Sequence, residues 1–116
     1  MKLIGYKVGI TVAAPPTDFV NMVLKEVGGT GVFGTEVALI NKINNRKVNN
    51  TWHISFCIKK AQDAEQFAYD LEEYCIEKNI EICNKTNVYP IWDNEKEEMQ
   101  WLKRKNKEFY IKFKRL

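Results

Sequence analysis

His53 is the single histidine of this 116-residue chain, and alternation along its strand puts it on the same face as Cys57. The first chemistry to weigh is therefore a thiol activated by an imidazole. Four residues along an extended chain span about 13 Å, too far for proton transfer or for sharing one zinc ion. One histidine also rules out, by count, a two-histidine phosphoesterase and a histidine-rich metal site. Cys75 falls on the apolar stripe of a helix and reads as a small core residue. Glu72 with Glu73, and Glu97 with Glu98, are adjacent helical pairs. Adjacent helical side chains do not face each other, so neither pair can serve as acid and base on one bond, and both read as solvated. These residues predict neither an enzyme nor a cofactor or metal.

The stretch GTGVFG, Gly29 to Gly34, has the G-x-G-x-x-G spacing of a dinucleotide cradle. Such a loop must leave a strand and open a helix, so that the positive helix N-terminus meets the pyrophosphate. Here the order is reversed. The glycines follow a helix and lead into a strand, which predicts a helix stop and no phosphate site.

Composition places the chain in the ordinary globular class, with 45% hydrophobic and 28% charged residues. The N-terminal apolar stretch is interrupted by Lys7 and alternates, unlike a leader's hydrophobic region. No run approaches the roughly 18 apolar residues of a membrane span. Three cysteines with no C-x-x-C pair fit a reducing compartment. The expectation is a cytoplasmic protein that does not engage a membrane.

The net charge of +3 conceals a polarised arrangement. Residues 1–92 hold ten basic and ten acidic side chains, 93–102 one lysine against four acids, and 103–116 seven basic residues against Glu108 alone. Lys103, Arg104, Lys105, Lys107, Lys112, Lys114 and Arg115 are interleaved with Trp101, Phe109, Tyr110 and Phe113. Cations beside rings suit phosphates and stacked bases. The segment, Tyr110 included, is thus a candidate surface for a nucleic acid or an acidic protein; a solvated, solubilising face is the other reading.

Periodicity supplies the elements that would position these groups. Ile4, Tyr6, Val8, Ile10 and Val12 alternate with Gly5, Lys7, Gly9 and Thr11, which predicts a strand ended by Pro15 and Pro16. A helix capped by Thr17 or Asp18 follows, with Phe19, Val20, Val23, Leu24 and Val27 on one stripe and Gly28 and Gly29 at its end. The second strand spans about 31–43, with Phe33, Val37 and Leu39 on the apolar side. A turn at Asn44, Asn45 and Arg46 leads to a third strand, where Trp52, Ile54, Phe56 and Ile58 alternate with His53, Ser55, Cys57 and Lys59. Asp63 and Gln66 form a capping box for a helix running to about Lys78, closed by Asn79. The fourth strand, IEICNKTNVYPIW, ends near Pro90. The predicted fold is α+β, a ferredoxin-like βαββαβ core over 1–92. Residues 93–116 extend that single domain with a helix from Asn94 and a fifth strand in EFYIKFKRL.

Strand parity turns Lys7, Glu36, His53, Ser55 and Lys59 away from the helices, onto a flat, open face of small and polar residues. RNA-recognition-motif proteins share the element order, but their base-stacking aromatics sit on that face. Here Trp52 and Phe56 fall on the other, so the resemblance is one of topology. Two uses remain for such a face. A second subunit's sheet packs on it, as in ACT-type and PII-type regulatory proteins, or the C-terminal segment folds over it and buries Trp101, Phe109 and Phe113. Either leaves a crevice in which Lys7, Glu36, His53 and Lys59 could hold a small anion such as a nucleotide. The sequence thus predicts a homo-oligomeric binding protein of adaptor, inhibitor or sequestering type, of the kind carried on mobile elements. Its partner is expected to be a nucleic acid or acidic protein, with a small anionic ligand as the alternative.

Overall fold

The computed structural model describes residues 2–28, 31–43, 46–92 and 111–114. The elements are β1 (Leu3–Val12), α1 (Pro16–Glu26), β2 (Val32–Ile43), β3 (Arg46–Ile58), α2 (Ala61–Glu77), β4 (Ile82–Trp92) and a four-residue β5 (Ile111–Lys114). The architecture is α+β: two helices on an antiparallel sheet ordered β4-β1-β3-β2, with β5 paired to the free side of β2. The helix expected from Asn94 lies outside the described residues. Of the expected C-terminal strand, only Ile111–Lys114 is described.

Alternation in β1 and β3 decides which side the helices occupy. Val8, Ile10, Val12, Ile54, Phe56 and Ile58 are buried with Phe19, Val20 and Val23 of α1 and Phe67, Leu71 and Cys75 of α2. Water leaves this apolar surface at a gain of about 1.5–3 kcal/mol for each large side chain fully buried. Ring contacts lock the layers. Phe56 meets Phe67 at 5.0 Å between centroids, and Phe19 meets Tyr74 edge-on at 6.4 Å, tying α1 to α2.

The helix termini differ from the predicted caps. α1 begins at Pro16, before Thr17 and Asp18, and Phe19 donates its N–H to the Pro15 carbonyl. Proline at the first position has its φ preset and no N–H to leave unpaired. α2 begins at Ala61 after Lys60, without a side-chain cap; Gln66 donates instead to Asp70. Both ends close as the sequence implies, with Gly28 at φ +138° after α1 and Asn79 at φ +56° after α2. β4 runs two residues past Pro90. As a margin strand bonded only to β1, it tolerates a residue with no N–H.

One strand departs from simple parity. The β2–β3 register slips between Val32 and Gly34, and such an extra residue puts two neighbours on one side. Val32 therefore packs against the core, whereas the Phe33 ring lies 2.8 Å from where a Cβ on Gly5 would stand, on the side away from the helices. The expected place of Phe33 in the apolar row is corrected accordingly. Gly5 is required here because a Cβ would stand 2.8 Å from the Ile58 carbonyl oxygen, which the backbone holds in place, as well as against that ring.

Candidate functional site

The face opposite the helices is built from β1, β3 and β2. Register sets Lys7 beside Cys57, Gly9 beside Ser55 and Thr11 beside His53. On the other flank of β3, Gly34, Glu36 and Ala38 stand beside Cys57, Ser55 and His53. The predicted parity of these residues thus holds. The predicted openness does not: Lys7 is 7% exposed, Thr11 1%, Ser55 4% and Cys57 6%. A polar surface excluded from water must satisfy its own groups, and the pairing across this face shows how.

Lys7 Nζ reaches over the central strand β3 to Glu36 Oε2, 3.2 Å away. Burial by itself would push the Lys7 ammonium down. The charge and hydrogen bond of Glu36 outweigh it, with Tyr89 and Cys57 adding, so the pKa lies above the usual lysine value. Lys7 is accordingly a fixed cation and no general base. Removal of the carboxylate would leave that ion in a poorly solvating place.

His53 occupies the next cell of the face. Thr11 Oγ1 lies 3.0 Å from Nδ1 and Ser55 Oγ 3.3 Å from Nε2. A hydroxyl can donate or accept, so the pair satisfies either neutral tautomer. Burial, helped by the Lys7 charge, holds the imidazole pKa below the ordinary histidine value, and the ring is neutral at pH 7. Room for it comes from Gly9, where a Cβ would meet the ring at 3.1–3.2 Å. Ser55 beside His53 has the form of a nucleophile and its base. Its third member, however, is the Thr11 hydroxyl, which cannot stabilise an imidazolium as a carboxylate does, and Glu36 is joined to Lys7. The arrangement ties β1 to β3 through the half-buried His53.

Lys59 does not join this cluster; it is exposed, one residue beyond β3, and its N–H donates to the Gly31 carbonyl. Lys7, Glu36 and His53 are brought together. Their partners Thr11 and Ser55 were legible only as residues of matching parity, since the register that joins them is a tertiary fact. Among the described residues no group of three His, Cys, Asp or Glu side chains could hold a metal ion, and no helix is long and apolar enough to cross a membrane.

Two other expectations change or sharpen. Glu72 is no solvated bystander: it accepts bonds from the Thr86 hydroxyl at 2.6 Å and the Thr86 N–H at 3.1 Å, pinning α2 to β4. The hydroxyl bond is the main reason its carboxyl lies below the ordinary range, against a smaller opposing effect of burial. Cys75 is fully buried in the apolar cluster, and burial, with the Glu72 charge, pushes its thiol up to about 11. It is inert as a nucleophile at neutral pH.

Lys103, Arg104, Lys105, Lys107, Tyr110 and Arg115 lie outside the described residues. Lys112 and Lys114 belong to β5, in register with Glu36 and Gly34 of β2, at the margin of the sheet. No family model matches the chain, and no curated protein matches its sequence.

Proposed function

We propose that this chain is a non-enzymatic binding protein of ferredoxin-like fold that engages a polyanion, a nucleic acid or an acidic protein, through its basic C-terminal segment. The order β4-β1-β3-β2, with a helix in each of the two crossovers, supports the fold. The observation that carries the function is charge segregation: 103–116 holds seven basic residues and one acid, while 1–92 is balanced at ten and ten. The rival reading, a small anion beside Lys7 and His53, has less to draw on. Lys7 already faces a carboxylate at 3.2 Å, and His53 is neutral.

Oligonucleotide binding at two salt concentrations tests the proposal. Four engaged cations give a log–log salt slope of about 3–4, and replacing Lys103, Arg104 and Lys105 together by glutamine abolishes the salt-sensitive part. Binding that is indifferent to that triple substitution overturns the reading. Competition of the oligonucleotide by polyglutamate at equal charge would place the partner among acidic proteins.

A further inference from the structure

We infer that the β4 margin of the sheet is a guarded pairing edge, which Glu72 and Pro90 close to the β4 strand of a second copy of this chain. This holds whether or not the chain binds a polyanion, because it follows from what β4 offers on its open side.

Among the described residues β4 (Ile82–Trp92) is bonded to β1 alone, so its other side has no strand beside it. A long margin strand is a template for another strand. The side chains of β4 add to that hazard, since Val88, Tyr89 and Trp92 are all exposed and are of the types that strands favour. A two-fold axis at this margin would lay two identical strands antiparallel and bring one apolar run beside the other.

Three features of the same strand oppose that pairing. A strand pairs by giving its N–H groups as well as by offering its carbonyls. Pro90 has no N–H to give. The Thr86 N–H is already given to Glu72 Oε1 of α2 at 3.1 Å, and the Thr86 hydroxyl holds the same oxygen at 2.6 Å. Water could satisfy a margin N–H equally well; the carboxylate satisfies it while standing where an incoming carbonyl would have to stand. Register supplies the third feature. Gly9 and Thr11 of β1 stand beside Asn87 and Asn84, so β4 carries an extra residue there, a bulge that bends the strand and interrupts a straight ladder. Lys85, exposed at that bulge, adds a charge that two copies would bring edge to edge. Pro90 and the bulge are fixed in the backbone. The Glu72 bond joins a side chain of one element to the backbone of another, so it alone can be released, and Glu72 is the latch.

Self-association of the full-length chain tests this. Light scattering after size exclusion compares the parent with Glu72→Ala, Pro90→Val and the double variant at equal concentrations. The double variant should double the parent's mass as concentration rises, and amides within 84–92 should then exchange about tenfold more slowly. Each single variant should associate less, and adding Val88→Lys to the double variant should restore the parent's mass. A double variant with native circular dichroism and the parent's mass at every concentration would overturn the inference, as would association that Val88→Lys leaves intact. If the double variant does not fold, Glu72→Ala decides: its Thr86 amide should exchange about tenfold faster than the parent's when dilute and slow on concentration. A rate equal to the parent's contradicts the latch.

Discussion

The two faces of this sheet bury side chains by different physics. Beneath α1 and α2, Val8, Ile10, Ile54 and Phe56 are held by area and shape, and any side chain of similar bulk would serve nearly as well. On the other face, Lys7, Glu36, Thr11, His53 and Ser55 are held by named partners at hydrogen-bond distance. Apolar burial is forgiving of identity and intolerant of lost volume; polar burial is the reverse, because one missing partner strands the other. The contrast teaches that a row of polar side chains facing away from the helices is not thereby a surface.

Substitutions can break or sharpen that contrast. The largest effect belongs to volume: Phe56→Ala should cost about 3–5 kcal/mol, measured as a fall in the denaturant midpoint, while Phe56→Leu costs clearly less. Pairing comes next. Lys7→Met alone should cost about 2–4 kcal/mol, between the loss of one charged hydrogen bond and that of a fully buried ion pair. The double change Lys7→Met with Glu36→Leu should cost less than Lys7→Met by itself, and additive losses would show that the pair is not coupled.

A smaller effect tests the fit of the imidazole. Gly9→Ala puts a methyl 3.1–3.2 Å from the His53 ring and should cost about 1–3 kcal/mol as overpacking. Adding His53→Ala should relieve most of that penalty, and a penalty that persists would move its cause to the backbone. The smallest effect is a pH dependence. Folded His53 resists protonation, while in the unfolded chain it takes up a proton near its ordinary pKa of 6.5. The unfolded state then binds more protons, so this contribution is present above about pH 6.5 and lost as pH falls below it. Urea midpoints at pH 7.5 and 5.5 should differ more for the parent chain than for His53→Gln; equal differences would show that the ring titrates freely in the fold.

Much of the fold was legible because local rules act on neighbours in sequence. Period two in Trp52–Ile58 and Ile4–Val12 assigned the faces, and Gly28 and Asn79 marked helix ends through their tolerance of positive φ. The expected caps, Thr17 or Asp18 for α1 and the Asp63–Gln66 box for α2, misled because proline at the first turn of α1 and backbone bonds alone in α2 made side-chain caps unnecessary. Phe33 misled because a register slip is invisible until β3 lies alongside. The candidate site was legible as a set of residues, Lys7, Glu36 and His53, and illegible as chemistry. Whether a lysine greets an anion from solvent or a glutamate across a strand depends on which strands are neighbours.

By itself the amino-acid order determined the side each residue would take and the uneven spread of charge, since alternation and composition need no partner. Only the assembled sheet decided that Lys7 meets Glu36 over β3, that His53 rests between two hydroxyls above Gly9, and that Lys7, Thr11 and Ser55 are buried on that face. Those contacts join positions far apart in the chain, and the free energy that selects them exists only once strand order and register are fixed.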